Sequence, residues 1–476
     1  MKLRSQSKAA QPTFRWASLP QELRLTILEM LQSLVLSYRK QPMANWASVS
    51  KEWQGFFEPL LWRTLTFRPS SSKSGFQGFR RFIKDSNYRK TLVKKISFTV
   101  NMSKFSCGRY GKVTRDVLLH VHMSSYPCGR CGQTTSSLAI ILDNVKRFSE
   151  NTKRLLSILH DWTEETATSG IALELGATWP GDDDTQYPFG DCRTRCRAHL
   201  MPHISWSSFI GLDRHSSLRN APIITSLFIK QSLPSSLLAW TVFQIVDHLP
   251  RLEQINCEHR LELEPSEHDL HHSANSAIFS LRGQMRRVSL WVARSQSGAP
   301  KIPHDPGTAA TRAAFQVKEL AVSQASEAKQ FFQLLNSQVL SNPEQISLEY
   351  LAHTCSLRRL YSQPAEIANL LLLASTAAKN MPHLKVMEVW SPGVGEGFFF
   401  RYEAKESEVR LTVAATWRIR TDLRQAIQAW QQVAERHADR YFAYSVEKID
   451  PRILTETDSI CKQLKLFHLL RDWDRN

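Results

Sequence analysis

The sequence predicts an α/β protein in which a small N-terminal helical unit precedes an irregular solenoid with parallel strands. Three observations carry that expectation. Short apolar, strand-like pieces return along the chain at intervals typical of a repeat that supplies one strand and one helix per unit. The segments between them carry apolar residues at helical spacing. Four of the 13 tryptophans, Trp16, Trp46, Trp53 and Trp62, fall within 47 residues near the N-terminus, enough to seal a very small helical core.

The strand-like pieces are KKISFTV (94–100), GIALELGA (170–177), ITSLFIKQ (224–231), LEQINCE (252–258), RRVSLWVA (286–293), VKELAVS (317–323), EQISLEYL (344–351) and LKVMEVW (384–390). From the fourth onward their central residues, Ile255, Val288, Glu319, Ile346 and Val386, lie 33, 31, 27 and 40 apart. Between them, 235–250 opens on serines suited to N-capping and sets Leu238, Val242, Ile245 and Leu249 on one face. Residues 325–340 place Phe331, Leu334, Leu335 and Val339 in the same way, and 364–380 starts with a proline at a first-turn position. HLPRLEQI (248–255) and NMPHLKVMEV (380–389) read as equivalent helix-to-strand joints. Residues 101–135, 178–222 and 294–313 are rich in Gly, Pro, Ser and Thr and read as long loops or insertions. A hairpin is expected over 397–419 and helices over 422–440 and 454–473, together serving as the end cap that a solenoid requires. Strand residues such as Trp291, Glu349 and Trp390 are candidates for an open face of the sheet.

Charge divides the chain sharply. The net charge of +17 on 476 residues sits wholly in residues 1–115, which carry 22 basic and 5 acidic side chains. The remaining residues carry 39 of each sign. The most apolar run, 367–378, falls short of the ~20 residues needed to span a bilayer, so no membrane partner is expected. The N-terminus lacks the apolar region of a secretory signal. Eight cysteines in that setting point to reduced thiols in the cytosol or nucleus rather than to disulfides. Three parts follow: a basic tail (1–13), a helical unit (14–68) and the repeat array with its insertions and cap (69–476).

Within 14–68, ASLPQELRLTILEMLQ (17–32) offers Ser18 as a cap, Pro20 near the first helical position and Glu22 in the first turn. Leu23, Ile27, Met30 and Leu31 line one face. WASVSKEWQGFFEPLLWRTLTF (46–67) sets Trp46, Val49, Trp53, Phe56 and Phe57 at helical spacing, with Leu60, Leu61 and Trp62 beyond. Two or three short helices cannot bury that much apolar surface among themselves, so a partner surface is implied.

The order Leu19-Pro20-Gln21-Glu22-Leu23, Ile27-Leu28, Val49-Ser50-Lys51-Glu52-Trp53 and Leu61-Trp62 resembles an F-box, and the whole is most similar to F-box proteins of the filamentous-fungal type. The connection 33–45 is longer than is usual in that family, and the resemblance covers about 11% of the chain. It implies a three-helix module that docks on the Skp-family linker, and through it on the cullin of an SCF-type ubiquitin ligase. Leu19, Pro20, Leu23, Ile27, Leu28, Val49, Trp53, Leu61 and Trp62 would form the linker-binding face. Leucine-rich repeats commonly accompany an F-box, which agrees with a leucine-rich-repeat-like solenoid here. Such a chain is a non-catalytic adaptor without a cofactor. It holds a protein substrate, of unknown identity, close to the conjugating enzyme.

Other constellations are weaker. Cys128 and Cys131 have the spacing of half a zinc knuckle, with Cys192 and Cys196 as candidate partners and His199 and His203 beyond. About 60 residues separate the pairs, far from structural-site spacing, so reduced loop thiols are expected and no metal. Phe76, Phe79, Phe82 and Ile83 alternate with Arg80, Arg81 and Lys84, but the aromatics recur at core spacing and no nucleic-acid-binding motif accompanies them. An acidic protein partner is the simpler expectation. Gly393-Val394-Gly395-Glu396-Gly397 follows a strand without leading into a helix, and reads as a turn rather than a dinucleotide loop. His268, His271 and His272 form a solvated run. The sequence contains no HExxH, GxSxG or GxxxxGK[ST] motif. The competing reading is a repeat scaffold or nucleic-acid-associated protein acting outside a ubiquitin ligase.

Overall fold

The computed structural model describes residues 16–38, 43–67, 74–85, 87–101, 137–162, 170–178, 209–210, 212, 217–230, 236–237, 239–261, 285–294, 306–324, 326–341, 346–355, 357, 364–419, 422–438, 441–456 and 459–470. Three helices come first: α1 (Gln21–Tyr38), α2 (Met43–Ala47) and α3 (Lys51–Arg63). The chain then enters a 12-stranded sheet whose spatial order follows its chain order. Its strands are β1 (Thr64–Phe67), β2 (Lys95–Asn101), β3 (Ile171–Thr178), β4 (Ile224–Ile229), β5 (Gln254–Leu261) and β6 (Arg287–Arg294). They continue as β7 (Glu319–Ser323), β8 (Tyr350–Thr354), β9 (Val386–Ser391), β10 (Phe398–Ala404), β11 (Glu408–Ala415) and β12 (Tyr441–Lys448).

From β1 to β9 every neighbouring pair is parallel. Parallel neighbours need a crossover, and the helices described in these connections are α4 (Ser74–Asp85), α5 (Asn87–Leu92), α6 (Ser137–His160), α7 (Ala239–Val246), α8 (Pro306–Gln316), α9 (Ala328–Ser341) and α10 (Pro364–Ala378); most of the β3–β4 and β5–β6 connections lies outside the described residues. β10 then makes a hairpin, antiparallel to β9 and to β11. Helix α11 (Arg424–Ala438) carries the chain to β12, which is again parallel to β11. The chain is therefore mixed α/β with a mostly parallel open sheet, and the solenoid-like expectation agrees with it.

The register explains the repeat. Ile255, Val288, Leu320, Leu351 and Met387 stand side by side on successive strands, so the units are 33, 32, 31 and 36 residues long. Each belongs to the face that the helices cover, and each is buried. Phe331, Phe332 and Leu335 of α9 and Leu371 and Ala374 of α10 join the same core. Trp430 of α11 lies 4.9 Å from the ring of Tyr402 on β10. Each large apolar side chain so buried is worth about 1.5–3 kcal/mol, and units that could not seal a core alone share one with their neighbours.

Several expectations need correction. The piece expected at 344–351 starts its ladder only at Tyr350; Ile346 and Leu348 are buried before it, where the Glu349 and Tyr350 amides reach Lys318 O. The loop expected over 294–313 contains the start of α8, whose alanines pack closely enough to need no large side chain. Neither β1 nor β12 was anticipated; both are edge strands without a long apolar run. The helix expected over 454–473 is not continuous. Two short 3-10 turns (Pro451–Ile453 and Ser459–Gln463) and the four-residue helix α12 (Phe467–Leu470) replace it. That segment does not cap the end of the array. It folds back over the sheet face opposite the crossover helices. No helix among the described residues is long and apolar enough to cross a membrane.

Candidate functional site

Two surfaces bear on function: the N-terminal helical unit and the sheet face opposite the crossover helices. In the unit, Pro20 takes the first-turn role its ring favours, and Arg24 N–H already donates to Pro20 O at 3.1 Å. Ser50 caps α3 from an extended conformation (φ −158°), its hydroxyl accepting from Trp53 N–H at 3.3 Å. Glu52, in the first turn of α3, fixes how the pieces meet. Trp16 Nε1 and Arg24 Nη1 both donate to Glu52 Oε2 at 2.8 Å. The interior is aromatic: Trp16 on Trp53 (5.4 Å), Trp46 on Phe57 (5.3 Å) and Phe56 on Phe57 (5.0 Å).

The nine residues expected to face a partner divide accordingly. Leu28 is fully buried and belongs to the unit's own core. Trp53 is half-buried against Trp16 and Phe57. Leu19, Ile27, Leu61 and Trp62 are half-buried, and Pro20 is exposed. Leu23 and Val49 are open to solvent at 51% and 60% exposure. Leu23, Ile27, Met30 and Leu34 recur at spacings of four, three and four, which is one stripe of a helix, and Met30 is 63% exposed. Met30 and Leu34 were not among the nine. A stripe of this kind on the solvent side of α1 is what a docking helix presents.

Trp62 has a further role. Its Nε1, Gln54 Nε2 and Arg89 Nε all donate to the buried carboxylate of Glu58, at 3.3, 3.0 and 2.7 Å. Arg89 also lies over the Trp62 ring, 5.2 Å from its centroid. Burial pushes the Glu58 carboxyl up, but these hydrogen bonds and the Arg89 charge outweigh burial and hold it below the usual range. Arg89 is on α5, so this cluster joins the helical unit to the array. Phe76 and Phe79 of α4 are buried against Phe67 of β1, as their spacing suggested.

On the face opposite the crossover helices, two consecutive rungs carry Ser289, Ala321, Ala352, Glu388, Arg401 and then Trp291, Ser323, Trp390, Phe399, Ala414. The C-terminal segment covers them. Leu454, Ile460, Cys461, Leu464, Leu466, Leu469 and Leu470 are buried with Trp291, Ala321, Ala352, Trp390, Phe399 and Ala414 in a second apolar cluster. Ala321 and Ala352 lie on the two strands between those of the tryptophans, one rung away from them, and are buried in the same cluster. Trp291 and Trp390, expected on an open face, are therefore under cover.

One charge anchors the segment. Glu388 is wholly buried at the centre of β9, and its carboxylate accepts from Lys465 N–H (3.0 Å), Leu466 N–H (2.8 Å) and Arg401 Nε. Arg401 Nη2 in turn donates to Gln463 O at 2.6 Å. Glu349, at the strand-entry rim, takes Lys318 (2.9 Å) and Lys385 (2.6 Å) from the adjacent units, and these partners pull its carboxyl down to about 2. Glu174 takes Lys95 and Lys230 across β2 and β4, and Glu319 takes Arg286 and Arg287. The balanced charge of the body is thus partly spent between neighbouring strands.

No group of three or more potential metal ligands occurs among the described residues. Cys128, Cys131, Cys192, Cys196, His199 and His203, like His268, His271 and His272, lie outside the described residues. The three described cysteines, Cys257, Cys355 and Cys461, are buried thiols. Burial pushes the Cys355 thiol well above its ordinary range, as befits an inert packing residue. Gly393–Gly397 is the turn from β9 to β10, with Gly395 at φ +68°. His353, on β8, is buried against Phe331 with Ser326 Oγ 3.0 Å from its Nε2, and burial lowers its pKa to about 4. It holds the entry of α9.

Residues 284–469 match the profile of a family of unknown function (DUF6546). That stretch runs from the start of β6 to α12, and includes almost all of the covered face and its anchor Glu388. A comparison with curated proteins finds no match.

Proposed function

We propose that the chain is the substrate-recognition adaptor of an SCF-type cullin–RING ubiquitin ligase, its N-terminal unit an F-box that docks the Skp-family linker. The observation that carries this reading is the solvent-facing apolar stripe of α1, Leu23, Met30 and Leu34, together with the exposed Val49. These lie within the Leu-Pro, Ile-Leu, Val-Ser-Lys-x-Trp and Leu-Trp pattern. Apolar side chains held outward by a unit that already has its own core have no role in folding it. The excess of 22 basic over 5 acidic residues in 1–115 suits an acidic partner and speeds the encounter, while the apolar stripe holds it. The repeat array then carries a protein target. The Glu58–Arg89–Trp62 cluster supports that division of labour, because orientation reaches a target only through a stiff joint.

Co-purification of the full chain with a Skp-family linker tests the proposal. Leu23→Asp and Val49→Asp are expected to weaken capture at least about a hundredfold, at ≳2.7 kcal/mol, without changing the thermal midpoint. A chain that never captures the linker, or does so equally well with both substitutions, is instead a repeat scaffold or nucleic-acid-associated protein outside a ligase.

A further inference from the structure

The sheet has two ends, and they are built differently. β1, at one end, has four residues and follows directly from α3. β12, at the other, has eight, and among the described residues pairs only with β11. Natural edge strands are shortened, charged, bulged or interrupted by proline. β12, YFAYSVEK, has none of these over its first six residues. Three of its side chains, Tyr441, Tyr444 and Val446, are 73%, 57% and 52% exposed.

The direction of the free hydrogen-bonding groups follows from the ladder. Ile449 N–H donates to Ala415 O at 2.8 Å. Alternate residues of a strand turn their N–H and C=O the same way, so Tyr441, Ala443, Ser445 and Glu447 face β11. Phe442, Tyr444, Val446 and Lys448 turn theirs outward. The side chains of this second set stand beside Val409, Leu411, Val413 and Ala415, in the rows that the helices cover elsewhere. The helix layer stops at α11, so β12 offers both an unpaired backbone and an apolar row.

We infer that β12 is a self-association edge, occupied by β12 of a second copy of this chain in antiparallel array about a two-fold axis at Ser445. A row of unpaired amides and carbonyls is matched only by another extended chain, and the strand is complementary to itself. A two-fold axis at its centre brings Tyr444 opposite Val446 of the second copy, and the stem of Lys448 opposite the Phe442 ring. Both are pairs of outward-turned residues, so each exchanges two backbone hydrogen bonds. The charged end of each strand meets the aromatic end of the other, and no like charges are opposed. A parallel neighbour would instead stack Glu447 and Lys448 on themselves. This inference is independent of the ligase reading.

Sedimentation velocity of the full chain, from low to high micromolar, is the test. The expected result is a concentration-dependent dimer that Tyr444→Lys with Val446→Lys weakens about tenfold or more, with the thermal midpoint held because both side chains are exposed. Hydrogen exchange provides a readout that needs no variant: amides of Phe442, Tyr444, Val446 and Lys448 should slow as dimer forms. A chain that stays monomeric overturns the proposal. So does a dimer that the paired substitution leaves intact, or one whose β12 amides exchange at the same rate as the monomer's.

Discussion

Glu388 carries the most direct test of how the C-terminal segment is held. Glu388→Ala removes a wholly buried carboxylate that accepts two main-chain amides of that segment and the Arg401 guanidinium. Arg401, its side chain only 16% exposed, is then left without its counter-charge. Removing one partner of a buried ion pair costs about 3–5 kcal/mol. The two orphaned amides add about 1–3 kcal/mol each if they stay buried. The cheapest response is release of the segment, which re-exposes all three donors to water. Residues 459–470 should therefore open in a protein whose sheet stays folded. A 3–5 kcal/mol loss lowers amide protection there by roughly two to three and a half powers of ten. Hydrogen exchange followed by mass spectrometry reads this directly. Brief trypsin treatment gives a second reading, at Lys462 and Lys465. Tryptophan emission should shift to the red as water reaches Trp291 and Trp390. Glu388→Gln, which keeps one acceptor, should lie between. Wild-type protection at Leu466 in Glu388→Ala would refute the anchoring role.

Two further outcomes follow from burial. His353 is neutral in the fold and titrates at about 4 against an ordinary 6.5, so between those values the unfolded chain binds more protons. The stabilisation is complete above pH 6.5 and is lost as the pH falls toward 4, by about 3 kcal/mol; urea unfolding of His353→Gln should lack that part of the pH slope. Leu28→Ala should cost about 2–5 kcal/mol by opening a cavity, whereas the exposed Leu23→Ala should change stability by less than about 0.5 kcal/mol, as thermal unfolding will show.

The repeat was legible because strands buried under helices need apolar residues at fixed intervals. Val288, Leu320, Leu351 and Met387 satisfy that need whatever the loops between them do. Strand limits were less legible. Ile346 and Leu348 alternate as strand residues do, yet only the residues from Tyr350 onward find a ladder partner, and Leu351 falls out of that alternation. His353 carries no signal of burial in the local pattern, yet its imidazole, beside Phe331 and Ser326, is as buried as the leucines. The apolar stripe of α1 was visible as a pattern, but its division into an inward Leu28 and an outward Leu23 depends on where α3 and the aromatic cluster lie.

The C-terminal region shows the boundary best. Its leucines at roughly helical spacing suggested a helix, and taken alone they allow one. What decided otherwise was the surface they meet: a sheet face that presents Trp291, Ala321, Ala352 and Trp390, and a carboxylate at Glu388 that takes main-chain amides. A helix presents no free amides beyond its first turn, so a segment bound through the Lys465 and Leu466 amides must break there. By itself the sequence determined the α/β class, the existence of a repeat but not its exact spacing, the helical character of the N-terminal segment and the seat of the +17 charge in the first 115 residues. Those follow from local periodicity and composition. Tertiary structure alone decided which apolar residues remained exposed, that the face opposite the crossover helices is covered by the chain's own end, and that β12 is left as an open edge. Each depends on contacts between residues far apart in the chain, which local pattern does not encode.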